Sequence, residues 1–130
     1  LIVVDASALV ELLLRRPAAQ ALERRLFAPG ETLHAPHLID VEIAQVIRRH
    51  ARKGEMDTLR GEQALEDLSD LPLRRYPHEL LLSRIWELRE NLTAYDAAYV
   101  ALAELLHAPL ITRDERLAGA PGHRAKVELA

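Results

Sequence analysis

The chain has 130 residues, 49% of them hydrophobic and 28% charged, with a formal net charge of −3 and no cysteine. That is the length and balance of one core-forming domain, and it excludes a disordered segment, a disulfide scaffold and a Cys-ligated zinc module. No apolar run approaches the roughly 18 residues of a membrane span, and the charge provides no global basic footprint for a plain electrostatic nucleic-acid binder. No basic stretch precedes the apolar opening, so a signal peptide is not expected, and the lack of cysteine fits a reducing, cytoplasmic setting.

Taken in chain order, "LIVV" (Leu1 to Val4) reads as a buried strand, and a helix begins near Ser7 and runs to about Leu14. Pro17 suits the first turn of a second helix through Leu26. "APGE" is a turn, and "TLHA" a short strand that Pro36 stops. From Leu38 to Lys53, Ile39, Ile43, Val46 and Ile47 form a helical stripe, with Gly54 as the C-cap. Asp57 to Leu71 reads as a further helix despite Gly61. "LRRY" between two prolines is a strand, and His78 to Glu90 a helix that carries Trp86. Thr93 to Leu106 is the clearest helix, because Thr93 and Asp96 have capping-box spacing. "HAPLIT" is a turn and strand, "RDERLAG" a short helix, and "AKVEL" a last strand. Short strands alternating with helices, without repeats or linkers, predict a single α/β domain over residues 1–130.

Most of the 20 acidic residues sit among arginines on helix faces and read as solvated surface. Four do not. Asp5 ends the first strand, and Asp114 follows "PLIT". Glu42 lies near the start of an apolar helix, and Asp96 in the first turn of "TAYDAAYVALAELL". Each has an ordinary reading as a helix cap or a partner of the helix dipole. Jointly, two strand-end and two helix-start carboxylates can converge above the carboxyl edge of one sheet, where open α/β sheets place their ligands. Such a cluster needs raised pKa values or bound cations, and an oxygen-only donor set favours Mg²⁺ or Mn²⁺. One of the four, Asp114 or Glu42, would instead orient an attacking water. Ser7 and Thr112, each two residues from a strand-end aspartate, could support these carboxylates, with turn or helix capping as the alternative.

Fifteen of the 17 basic residues are arginine, the residue suited to bidentate phosphate contact. Arg113, beside Asp114, is the better candidate for a substrate contact. Arg48, Arg49, Arg52 and Lys53 end a helix, as do Arg15 and Arg16, and the dipole favours cations there in any case. Tyr95 and Tyr99 have helical spacing and read as packing residues. The six histidines show no ligand spacing, and neither a glycine-rich phosphate loop nor a G-x-S-x-G elbow is present.

Together "IVVDASAL", "DVEIAQVIRRH", "LTAYDAAYVALAELLHAPLIT" and "TRDERL" resemble, in order and over nearly the whole chain, a PIN domain of the VapC-type toxin family. The resemblance implies a small central parallel sheet flanked by helices, in a single nuclease domain. It implies an endoribonuclease that uses Mg²⁺ or Mn²⁺, with Asp5, Glu42, Asp96 and Asp114 as its acidic quartet. It also implies a cognate antitoxin whose C-terminal segment lies over the active-site groove, and a homodimer. A catalytically silent PIN-like interaction module is the alternative. A phospho-acceptor signalling domain would want a lysine on a late strand-end loop, and neither Lys53 nor Lys126 is so placed.

Overall fold

In a computed structural model that describes residues 1–130, the short apolar runs pair side by side into one parallel sheet. Strand β1 (Ile2–Val4) is buried at every residue, as expected of a strand covered on both faces. It lies between β2 (Leu33–Pro36) and β4 (Leu110–Thr112), with Val3 opposite both His34 and Leu110. Outside these lie β3 (Leu73–Tyr76) and β5 (Val127–Leu129), giving the order β3-β2-β1-β4-β5. The chain builds outward from β1 to β3 and then returns to the other side of β1. The β1/β4 boundary is therefore the point at which the winding reverses, the place where open α/β sheets put their ligands.

Parallel pairing requires crossovers, and helices supply them. Helices α1 (Ala6–Leu13) and α2 (Ala19–Leu26) join β1 to β2, and α3 (Leu38–Arg52) and α4 (Thr58–Asp70) join β2 to β3. A 3₁₀ turn (His78–Leu81), α5 (Leu82–Glu87) and α6 (Ala94–Leu106) lead to β4, and α7 (Glu115–Ala118) leads to β5. Helix α6 lies across β1, β2 and β4 and packs on α5. Ala97 to Ala103 are buried without interruption, so it is a core element rather than an amphipathic cover. No helix is long and apolar enough to cross a membrane.

Several boundaries differ from the sequence reading. Pro36 is the last residue of β2 rather than its stop, since a proline at a strand end forfeits no interior ladder bond. Arg15 takes the left-handed conformation just past α1. The buried Glu11 then accepts the Ala18 N–H, so α2 begins at Ala19, two residues after Pro17. The expected helix over His78–Glu90 divides into the 3₁₀ turn and the six-residue α5. Ending at Glu87 keeps Glu90 out of the carboxyl-terminal turn, where the dipole would disfavour its charge. Gly61 in α4 is explained by packing: a Cβ there would stand 3.0 Å from Ile47 Cγ2 of α3.

Within α6, Leu102 is fully buried and Leu105 is 55% exposed. Leu102→Ala is expected to cost about 2–5 kcal/mol and Leu105→Ala about 0.5 kcal/mol or less. Denaturant unfolding of the two variants checks this, and equal losses would contradict the placement of α6 in the core.

Candidate carboxylate site

Asp5 leaves β1 and caps α1. Its Oδ1 accepts the Ala8 N–H at 3.0 Å and the Ser7 hydroxyl at 2.7 Å, and its Oδ2 accepts the Thr112 hydroxyl. Only 6% of the residue is exposed. Each hydroxyl also accepts a backbone N–H from the loop after β4: Arg113 N–H donates to Ser7 Oγ at 3.0 Å, and Asp114 N–H to Thr112 Oγ1 at 3.0 Å. Ser7 and Thr112 thus connect a buried carboxylate to the backbone that carries Asp114.

Asp114 caps α7, and the Arg116 N–H and guanidinium occupy its two oxygens at 2.9 and 3.0 Å. The Arg116 side chain is 82% exposed. Asp96 stands in the first turn of α6, where its N–H donates to Thr93 Oγ1 at 3.2 Å. Glu42, on α3, accepts the Tyr99 hydroxyl at 2.5 Å. Arg113 turns its guanidinium to the Ala130 carbonyl at 3.0 Å.

Burial holds the Asp5 carboxyl above the usual carboxylate range in spite of its three donors, and the Asp96 charge adds to the effect. Glu42 is raised by burial, against the Tyr99 bond, and by Asp5 and Asp96. Asp96 is raised by burial and by Asp114, against Arg116. Burial also acts upward on Asp114, but the bonds and charge of Arg116 outweigh it and hold this carboxyl low. A chain of mutual repulsion therefore links all four carboxylates at one end of the sheet. They stand apart nonetheless: no three Asp, Glu or His side chains come close enough to hold one metal ion between them.

The histidines lie in other surroundings. His34 bonds Thr32 and Tyr76, and His50 lies between Arg16 and Glu55. Sequence reasoning treated Tyr99 as packing and did not single out Arg116. A phenol in an otherwise apolar buried run is the signal for the first, since a buried hydroxyl requires a partner. For Arg116 the signal is a cation two residues after a capping aspartate.

The sign of the pH dependence follows from these shifts. A carboxyl raised in the folded state contributes most below its unfolded value, near 3.8 for Asp and 4.5 for Glu, and that contribution is lost as pH rises through the raised value. The contribution of the Asp5, Glu42 and Asp96 carboxyls to the stability of the metal-free protein is therefore expected to fall as pH rises from about 4 to 7.5, against the opposite slope of His34, which burial holds low. Asp96→Asn is expected to raise the neutral-pH melting temperature by a few degrees and flatten this slope. Thermal melts in EDTA test it, and a slope unchanged in the variant would contradict the coupling.

The family model described as the PIN domain matches residues 2–122. The chain is 46% identical over 129 residues to Ribonuclease VapC12 of Mycobacterium tuberculosis, covering 99% of this chain and 98% of that protein. It is 49% identical over 117 residues to Ribonuclease VapC9 of the same species, covering 90% and 88%. Among solved structures, a toxin–antitoxin complex from Klebsiella pneumoniae superposes with a TM-score of 0.62 at 26% identity, covering 98% of this chain and 96% of that one. VapC20 of M. tuberculosis, at 14% identity and a TM-score of 0.69 over 95% and 99% of the two chains, shares the fold. With a parallel sheet flanked by helices and near full-length identity of this order, the chain belongs to the PIN-domain family and, within it, to the VapC ribonucleases.

Proposed function

We propose that this chain is a metal-dependent endoribonuclease and the toxin of a toxin–antitoxin pair, with Asp5, Glu42, Asp96 and Asp114 holding Mg²⁺ or Mn²⁺ against an RNA phosphodiester. What supports this reading is the placement of the four carboxylates at the ends of β1 and β4 and near the starts of α3 and α6, where they raise the cost of one another's charge though no three of them close on one point. A protein gains nothing in stability from such repulsion, and bound cations would relieve it.

The donor set suits a hard divalent ion, since all four groups offer carboxylate oxygen. Asp5 is fixed by Ser7 and Thr112 as a ligand oriented in advance. The Asp114–Arg116 pair lies at the surface and is cheap to exchange, so Asp114 is free to turn toward a cation while Arg116 turns to a phosphate. Asp114, or Glu42 where it does not hold the ion, would instead orient the attacking water. Arg113 can reach RNA after leaving the Ala130 carbonyl. When bound, the metal would activate water and neutralise charge on the phosphate and leaving oxygen.

The likeness to proteins named as ribonucleases, and to a chain solved within a toxin–antitoxin complex, supports an RNA substrate and an antitoxin partner. A homodimer and a cytoplasmic location complete the proposal.

The test is cleavage of a mixed structured RNA pool by the purified protein with Mg²⁺, with Mn²⁺ and with EDTA. EDTA is expected to abolish cutting. Asp5→Asn and Asp96→Asn are each expected to lower the rate by about a hundredfold or more while the protein stays folded, because a metal-held charge is worth several kcal/mol in the transition state. Cleavage by a folded Asp96→Asn variant would overturn its role as a ligand. A folded, partner-free protein that cuts nothing would favour the silent interaction module.

A further inference from the structure

Tyr99 is 2% exposed and stands within the buried run Ala97–Ala103 of α6. Phenylalanine would fill the same volume, so packing does not account for the hydroxyl. That hydroxyl, costly to bury without a partner, donates to Glu42 Oε1 at 2.5 Å. Glu42 Oε2 receives no donor from the protein, and it is not among the buried unpartnered atoms, so it opens to solvent. Tyr99 also lies three residues after Asp96 on the same helix, within one turn of it.

We propose that Tyr99 is a positioning residue: its hydroxyl fixes Glu42 against α6 through Oε1 and leaves Oε2 as the one oxygen that Glu42 offers to a divalent cation. This inference rests on the carboxylate-site reading above. A free glutamate loses three torsional freedoms when it binds an ion, and a partner that fixes it beforehand removes much of that loss. The bond also sets the spacing of Glu42 from Asp96, because Tyr99 and Asp96 move together as parts of one helix.

The experiment is Mn²⁺ titration calorimetry on the full chain, its Tyr99→Phe and Glu42→Gln variants, and the double variant. Tyr99→Phe is expected to bind Mn²⁺ about tenfold more weakly, as for other partners of metal ligands. In the Glu42→Gln background the same change is expected to matter by less than about twofold, since the two act through one another. The Tyr99→Phe melt in EDTA should stay within a few degrees of the parent, and saturating Mn²⁺ should restore its RNA cleavage rate. If Tyr99→Phe keeps its Mn²⁺ affinity while Glu42→Gln loses it, the positioning role is wrong and the carboxylate site stands. If Glu42→Gln also binds as the parent does, both fall.

Discussion

The solvation of one carboxylate governs the arrangement at the end of the sheet. Asp5 follows three fully buried residues and keeps only a small exposed edge, so most of its charge must be met by protein donors. Two hydroxyls and one helix N–H meet it, and the hydroxyls come from different elements, Ser7 on α1 and Thr112 on β4. Each hydroxyl has a lone pair left over, and each uses it to accept an N–H from the turn after β4. The placement of Asp114 is thus a consequence of how Asp5 is kept solvated. Remove either hydroxyl and the buried charge loses one of its three donors while a loop N–H loses its acceptor.

The four carboxylates divide into held and free groups. Asp5 is held by hydroxyls and Glu42 by a phenol, both through bonds that lie mostly out of water. Asp96 depends on its place in the first turn of α6, where the helix dipole favours its charge. Asp114 is balanced by an exposed arginine, the one arrangement of the four that solvent can readily exchange. The site therefore combines a rigid floor with a movable rim. Its internal repulsion is a local cost that the surrounding core must offset, as is common where folds carry function.

Much of this was legible in the sequence because local rules and tertiary demands agree. The apolar run before Asp5 is a buried strand, and Thr93 caps the helix whose start it predicts. All five strands and most of the helices follow from apolar periodicity and from Pro, Gly and capping residues. What failed was decided elsewhere. The early stop of α5 leaves Glu90 outside its carboxyl-terminal turn, and Gly61 answers to the approach of Ile47 from another helix. Tyr99 looked like a packing residue because its ring is one; only the fold shows its hydroxyl beside Glu42, 57 positions away in sequence. Capping alone would account for Asp5, Asp96 and Asp114 one at a time, and it is their electrostatic coupling that single-residue reasoning cannot reach.

The same coupling bears on how an acidic chain could accept a polyanion. A net charge of −3 already opposes RNA, and on the proposed reading the carboxylates would face the phosphate. Arg116 moderates this only at one edge, through Asp114 and the more distant Asp96. Phosphate would approach once the local charge is neutralised, and the oxygen donors of the cluster are suited to attract the ions that neutralise it. Metal and RNA would then assist one another's binding, each lowering the electrostatic cost of the other. On that view the absence of a broad basic surface suits a site that engages RNA after it has been loaded with metal.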